Sequence, residues 1–275
     1  MSRYILGISD TRKITGALKE RGYPDFADYA LTSLKRRLEL VIEKSGLHDT
    51  GAFIYRINND DEFPDMAADA IAVETTELFR DPSMWRMLRD EILPDLFYKA
   101  SEVVFWLPGC SSPEDLVSLL ILLRESGLRD RSAVMLTAVS IVSLDKIIKG
   151  GISKSKLEVS EANYKKFQGS GNLSDYLITT GDSLTWESDL FNGVKYEVQK
   201  SALGDYPGNI DCILYMDKMI YFNPSLSSKV LSKIHISLST GGYLVTGSGE
   251  SPAHSTVLDF FSQADKNEKI FKKVR

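Results

Sequence analysis

The chain has 275 residues, 43% of them hydrophobic and 26% charged, with a formal net charge of −5, the composition of a folded globular protein rather than a disordered or fibrous one. A charge of that sign gives no overall attraction to nucleic acid, and apolar runs such as 116–123 are too short to cross a bilayer. Residues 1–10 lack the order of a secretory signal, so neither nucleic-acid binding nor membrane insertion is expected, and the cytoplasm is the expected location.

Over residues 11–47, Ile14, Leu18, Phe26, Tyr29, Leu31, Leu34, Leu38 and Ile42 recur at three- and four-residue steps, which predicts helices interrupted at Gly22 and Pro24. The pattern gives one short helix before Arg21, a longer one after Pro24, a turn at Gly46 and a third helical stretch near 65–72. Residues 1–72 are therefore expected to form a small all-helical domain. A further helix is predicted after Asp81, with Pro82 in its first turn and Trp85, Leu88, Ile92 and Leu93 on its apolar stripe, ending near Pro94. It would serve as a linker over residues 73–100.

From Glu102 onward short apolar runs alternate with polar helical stretches, the pattern of a mostly parallel sheet with helices on both faces. Candidate strands lie at 103–107, 133–139, 211–215 and 242–246, and candidate helices at 112–127 and 225–238. Residues 101–275 thus read as a doubly wound α/β domain. An irregular excursion at 150–192, punctuated by Gly169, Gly171, Gly181 and Asp182, holds either short antiparallel strands or a surface detour. Cys110 and Cys212 sit in apolar runs and are expected to be free, buried thiols. His48, His235 and His254 lack ligand spacing, so no metal is expected and each is read as a surface or packing residue.

In a doubly wound sheet, ligands bind beyond the carboxyl ends of the strands, so the loops after the candidate strands carry most information. The loop Gly109-Cys110-Ser111-Ser112-Pro113-Glu114-Asp115 is, alone, either a plain strand-to-helix turn or a ligand cradle. The run Asp211-Cys212-Ile213-Leu214-Tyr215-Met216-Asp217-Lys218-Met219-Ile220-Tyr221-Phe222 is more specific. It resembles, position for position, the segment D-L-I-F-C-R-N-V-L-I-Y-F of the CheR-type chemotaxis receptor methyltransferases. Upstream, Thr76-Glu77-Leu78-Phe79-Arg80-Asp81-Pro82 is similar to that family's T-x-F-F-R-D-P, and the Gly109 loop stands where the family has G-C-S-T-G-E-E-P. Downstream, the run from Gly241 to Ser251 is similar to G-G-Y-L-x-x-G-H-S-E-S.

The resemblance implies a Rossmann-like, S-adenosylmethionine-dependent methyltransferase fold that methylates glutamate side chains in the cytoplasmic domain of a chemoreceptor or acts on another signalling protein. It places Arg80 and Tyr221 in catalytic positions beside the methyl and the incoming carboxylate. Thr76, Gly109, Glu114, Ala138 and Asp217 fall at cofactor positions. Without the resemblance, Arg80 reads as an interdomain salt bridge and Tyr221 as core packing.

Departures concentrate in the cofactor loops. Where the family has A-T-D-I-S, whose aspartate accepts bonds from ribose hydroxyls, this chain has Leu136-Thr137-Ala138-Val139-Ser140. A methyl group accepts no hydrogen bond, and each charge-assisted bond lost costs about 1.5–3 kcal/mol, or roughly one to two powers of ten in affinity. Pro113 replaces a glycine, Asp217 an asparagine, Met216 and Lys218 an arginine and a valine, Leu78 a phenylalanine and Ser248 a histidine. The basic set on the helical domain, Lys19, Arg21, Lys35, Arg36 and Arg37, reads as a solvated face or as a docking surface. Three functions stay open: a working methyltransferase, a catalytically inactive binding or scaffolding module in signalling, and a protein that binds a different small ligand. An open cleft beside Gly109, Ala138 and Asp217 favours a ligand, and a filled one favours a scaffold.

Overall fold

The computed structural model describes residues 5–47, 49–72, 75–181, 183–250, 257–265 and 267–275; His48, Asp182, Ser251 and His254 lie outside them. Four helices open the chain: α1 (Ile8–Glu20), α2 (Leu31–Lys44), α3 (Thr50–Asn59) and α4 (Phe63–Ile71). α1 ends where Gly22 turns left-handed at φ +94°, letting the Gly22 and Tyr23 amides reach back to the Lys19 and Leu18 carbonyls, as glycine at a helix end permits. Leu18, Leu38, Ile42, Phe53, Ile57, Phe63 and Ile71 fill one shared core. α3 was not expected from the sequence, because Gly51 and the polar Asn58-Asn59 pair dilute its periodicity. It forms because Asp49 caps it, accepting from the Ala52 amide at 2.8 Å, and because Phe53 and Ile57, one turn apart, are fully buried at about 1.5–3 kcal/mol each.

The helix after Asp81 does not stop at Pro94. α5 (Pro82–Met87) passes through a wide π turn at Leu88–Ile92 into α6 (Leu93–Lys99). In that turn the Leu93 amide bonds five residues back to the Leu88 carbonyl, a local widening that accommodates a proline lacking its amide one residue later.

The sheet comprises β1 (Val103–Cys110), β2 (Ser132–Ala138), β5 (Val194–Val198), β6 (Ile210–Tyr215), β7 (Leu238–Thr246), β8 (Phe261–Gln263) and β9 (Ile270–Lys273). Their order is β5-β2-β1-β6-β7-β9-β8; the first five are mutually parallel, and β9 is antiparallel to β7 and β8. α7 (Glu114–Glu125), α8 (Ile141–Lys149) and α10 (Pro224–Ser237) are the principal crossovers. This is a doubly wound, Rossmann-like sheet, and its strand order reverses between β1 and β6, where such sheets bind ligands. The expected strands are present, with β1 running on to Cys110 and β7 starting at Leu238. β5 was missed because this edge strand, Val-Lys-Tyr-Glu-Val, is only partly covered and lacks a continuous apolar run. The stretch 150–192 holds an unexpected 14-residue helix, α9 (Lys154–Phe167), before the antiparallel pair β3 (Leu177–Thr180) and β4 (Ser183–Trp186).

Cys110 and Cys212 are free and buried; burial pushes the Cys110 thiol up to about 11. His235 is a surface residue whose ring packs on Phe260, 4.8 Å between centroids. Among the described residues no helix is long and apolar enough to cross a membrane.

Candidate functional site at the carboxyl ends of the strands

β1 ends in a bulge between Leu107 and Cys110. Gly109 takes φ +63° there, a conformation glycine adopts without penalty, and its amide donates to Thr137 Oγ1 at 3.2 Å. The chain then enters α7, whose first residues Glu114 and Asp115 are both buried. Thr75 donates to Asp115 Oδ2 at 2.9 Å and accepts, through its carbonyl, from Ser112 Oγ at 3.2 Å. Loss of hydration raises the Asp115 carboxyl above the usual range, with Lys218 and the Thr75 hydroxyl drawing it part of the way back. Glu114 pairs with Lys156 of α9 at 2.8 Å. Its other oxygen, Oε2, is buried without a hydrogen-bond partner among the described residues.

The turn carrying Arg80 is held by side chains from two helices. The Leu78 amide donates to Ser160 Oγ at 3.0 Å and the Phe79 amide to Ser118 Oγ at 2.9 Å. Phe79 and Asp81, either side of Arg80, have φ of +50° and +55°. Arg80 Nε lies 3.4 Å from Asp217 Oδ2.

Asp217 follows β6 and is itself left-handed, φ +57°. Its loop is organised by Glu250, a buried carboxylate that accepts from the amides of Asp217 at 3.0 Å, Ile220 at 3.2 Å, Gly247 at 2.8 Å and also Met219. Burial raises the Glu250 carboxyl despite those bonds. Gly247 is required for the approach: a methyl group there would land on the Asp217 carboxylate and lie 2.8 Å from its backbone nitrogen. Glu250 was not among the site residues expected from sequence. Its only signal was its place in the run from Gly241 to Ser251, four residues after a strand.

The segment joining α1 to α2, together with α4, covers the strand ends. Ala30 N donates to the Tyr221 carbonyl at 2.7 Å and Asn223 N to the Asp28 carbonyl at 2.8 Å. Asp25 accepts from Ser201 Oγ at 3.0 Å and from the Ala202 amide, and Lys200 pairs with Asp65 at 3.1 Å. Beneath this roof lies an inner cleft lined by Gly109 of β1, Val139 just past β2, Lys218, and the rings of Tyr23, Phe26, Tyr206 and Phe222. It offers about 50 Å³, room for a few waters. A smaller cavity at Cys110, Asp115 and Asp217 also touches Lys218. Outside, a groove of about 670 Å³ runs between Arg36, Arg37 and Lys44 of α2 and Thr76 and Tyr221; the Arg37 guanidinium lies 5.0 Å over the Tyr221 ring.

Five of the seven residues expected at the site fall in three groups. Gly109 lines the inner cleft. Arg80 and Asp217 pair and share a small cavity with Gly247. Thr76 and Tyr221 face the outer groove, and Tyr221 is half-buried there rather than packed in the core. Glu114 is sealed against Lys156, and Ala138, fully buried, belongs to the α/β core.

The family description "CheR methyltransferase, SAM binding domain" matches residues 74–268, most of the chain. This chain belongs to the CheR methyltransferase family. Among its relatives is Cher3 of Pseudomonas putida, 28% identical over 249 residues that span 90% of this chain and 91% of that one. The chemotaxis protein methyltransferase of Vibrio parahaemolyticus is 28% identical, covering 67% of each chain. Chemotaxis protein methyltransferase 1 of Pseudomonas aeruginosa is 26% identical over 78% of this chain and 80% of its own. The solved structure of the N-methyltransferase NodS from Bradyrhizobium japonicum aligns with 71% of this chain and 99% of its own, at 10% identity and a TM-score of 0.36. S-adenosylmethionine is the cofactor of this CheR domain, and the donor set suits its chemistry: acids for an ammonium group in Asp115 and Asp217, bare backbone at Gly109 and aromatic walls for a base.

Proposed function

We propose that this CheR-family protein transfers a methyl group from S-adenosylmethionine to carboxylates, the acceptors being glutamate side chains of a chemoreceptor cytoplasmic domain. The observation that supports the reading best is the Arg80–Asp217 pair at the carboxyl end of β6, four residues along the chain from Thr76 on the wall of the outer groove. When bound, S-adenosylmethionine supplies a methyl already made electrophilic by its sulfonium, so the acceptor needs alignment more than proton transfer. Arg80 suits that task, because a guanidinium holds a carboxylate in a defined plane, and Asp217 fixes the direction in which it points. Tyr221, braced under Arg37, would present its hydroxyl to the same acceptor. Arg36, Arg37 and Lys44 would draw an acidic helix into the groove. Gly109 would allow close approach of the cofactor, Asp115 and Asp217 would hold its amino group, and Tyr23, Phe26, Tyr206 and Phe222 would pack on its base.

The second reading, an inactive binding or scaffolding module in signalling, draws support from the tight inner cleft and from the buried methyl of Ala138. Calorimetry with S-adenosylmethionine and S-adenosylhomocysteine, together with labelled methyl transfer to receptor cytoplasmic fragments, decides between them. Micromolar binding and a base-labile label on glutamate are expected. No heat at millimolar ligand and no label would leave the scaffold.

A further inference from the structure

We propose that Lys218 sets the ligand affinity of this site: its side chain divides the cleft at the strand ends and must withdraw before a nucleoside-sized ligand can enter. The inference rests on the cofactor reading above and goes further by assigning control of affinity to one residue.

Lys218 lines both the inner cleft under the helical roof and the smaller cavity at Cys110, Asp115 and Asp217. Its stem crosses the bare backbone of Gly109, with Cδ and Cε 3.7 and 3.9 Å from where a Cβ at that glycine would lie. That is the point in the β1 loop where a ligand could come closest to the main chain, and a lysine stem covers it. Both cavities are bounded by this side chain.

The ammonium is held loosely. It lies 5.5 Å from the Tyr215 ring centroid and 3.5 Å from the Met216 carbonyl oxygen, at the long limit of a hydrogen bond. Among the described residues it makes no ion pair within 4 Å, although Asp115, Asp217 and Glu250 lie near the loop. Its charge still reaches Asp115 and Glu250, whose carboxyls it stabilises in the ionised form. Lys218 is thus an internal counter-ion for acids that would otherwise meet a ligand's amino group. Nothing locks it there, and a lysine's four-carbon stem has other rotamers open to it. The related segment quoted above has valine at this position, which carries no charge and is too short to cover Gly109.

Two consequences separate bulk from charge. Shortening the side chain joins the two cavities, which favours any adenosyl ligand. Removing the charge alone frees the acids and favours the cationic sulfonium over its neutral thioether product. The test is calorimetric titration of the intact protein and of Lys218→Val and Lys218→Met with S-adenosylmethionine and S-adenosylhomocysteine. Lys218→Val is expected to bind both at least about tenfold more tightly than the native chain, a shift of about 1.4 kcal/mol. Lys218→Met, similar in length but uncharged, is expected to gain more for S-adenosylmethionine than for S-adenosylhomocysteine. Native binding in the micromolar range with no change in either variant would overturn the proposal and leave the cofactor reading standing. No binding by any of the three at millimolar ligand overturns both. Native silence with binding by Lys218→Val supports the proposal. Melting curves show that each variant is folded, and Lys218→Met carries the test if the valine variant is not.

Discussion

Arg80 Nε and Asp217 Oδ2 stand 3.4 Å apart across two turns that both use left-handed backbone at non-glycine residues, Phe79 and Asp81 on one side and Asp217 on the other. Each such residue costs about 1–2 kcal/mol, and strain of this kind persists only where the surroundings over-determine it. Here Ser118 and Ser160 hold one turn and Glu250 the other. The pair itself is partly exposed, 45% for Arg80 and 18% for Asp217, and an ion pair of that exposure contributes little to stability, about 0–1 kcal/mol. Arg80→Ala is therefore expected to leave the unfolding free energy within about 1 kcal/mol of native while methyl transfer falls about 100-fold through lost alignment. Urea unfolding and a receptor-methylation assay measure the two effects. A stability loss that matches the activity loss would give Arg80 a structural role alone.

The loop that presents Asp217 depends on Glu250. Replacing its carboxylate by an amide turns one oxygen into a donor facing backbone amides that themselves donate. Bonds to a charged acceptor are worth about 1.5–3 kcal/mol each, so Glu250→Gln should destabilise the fold by about 2–4 kcal/mol. Cofactor binding, with Asp217 no longer positioned, should weaken in parallel. Full stability in Glu250→Gln, read from the urea midpoint, would count against this account of the loop.

Much of the fold was legible in sequence because continuous apolar runs mark buried parallel strands, and β1, β2, β6 and β7 all carry them. β5 lacks such a run, and α3 and α9 owe their place to packing that short-range periodicity does not report. At the site, Arg80 and Asp217 stood out as letters in a motif. The sequence also showed that Ala138 has no acceptor, but not that its methyl would be sealed in the α/β core. The pairing of Glu114 with Lys156 joins residues 42 positions apart, the second on a helix that was not expected. The course of Lys218 over Gly109 likewise depends on how two loops, far apart in sequence, fold against each other.

Two glycines of the site separate close packing from backbone strain. At Gly247 a methyl group would displace Asp217, 2.8 Å from whose nitrogen it would sit, and a backbone atom cannot swing away as a side-chain tip can. At Gly109 the nearest atom is the flexible Lys218 Cδ, 3.7 Å away, so only the positive φ resists, at about 1–2 kcal/mol. Gly247→Ala should therefore cost more than Gly109→Ala, about 2–4 kcal/mol, and should also break the Arg80–Asp217 pair. Thermal melts of the two variants side by side test the ranking. A larger loss in Gly109→Ala would reverse it.

Asp115 gives the site a pH dependence. Burial raises its carboxyl above the ordinary value, only partly offset by Lys218 and the Thr75 hydroxyl. Between the unfolded value and the raised folded one, the native state binds more protons than the unfolded chain, so this group's contribution to stability falls as pH rises through that window. Asp115→Asn keeps an oxygen for the Thr75 hydroxyl and removes the buried charge. The variant should be more stable than the native protein at neutral pH. The gain should shrink as pH is lowered to about 4, near the ordinary carboxylate range, where native Asp115 takes up its proton. Urea midpoints at the two pH values test this, and an equal difference at both would mean that the carboxyl does not titrate in the window. S-adenosylmethionine should bind Asp115→Asn more weakly, since the same acid that costs stability when the cleft is closed would hold the amino group of the ligand when it is open.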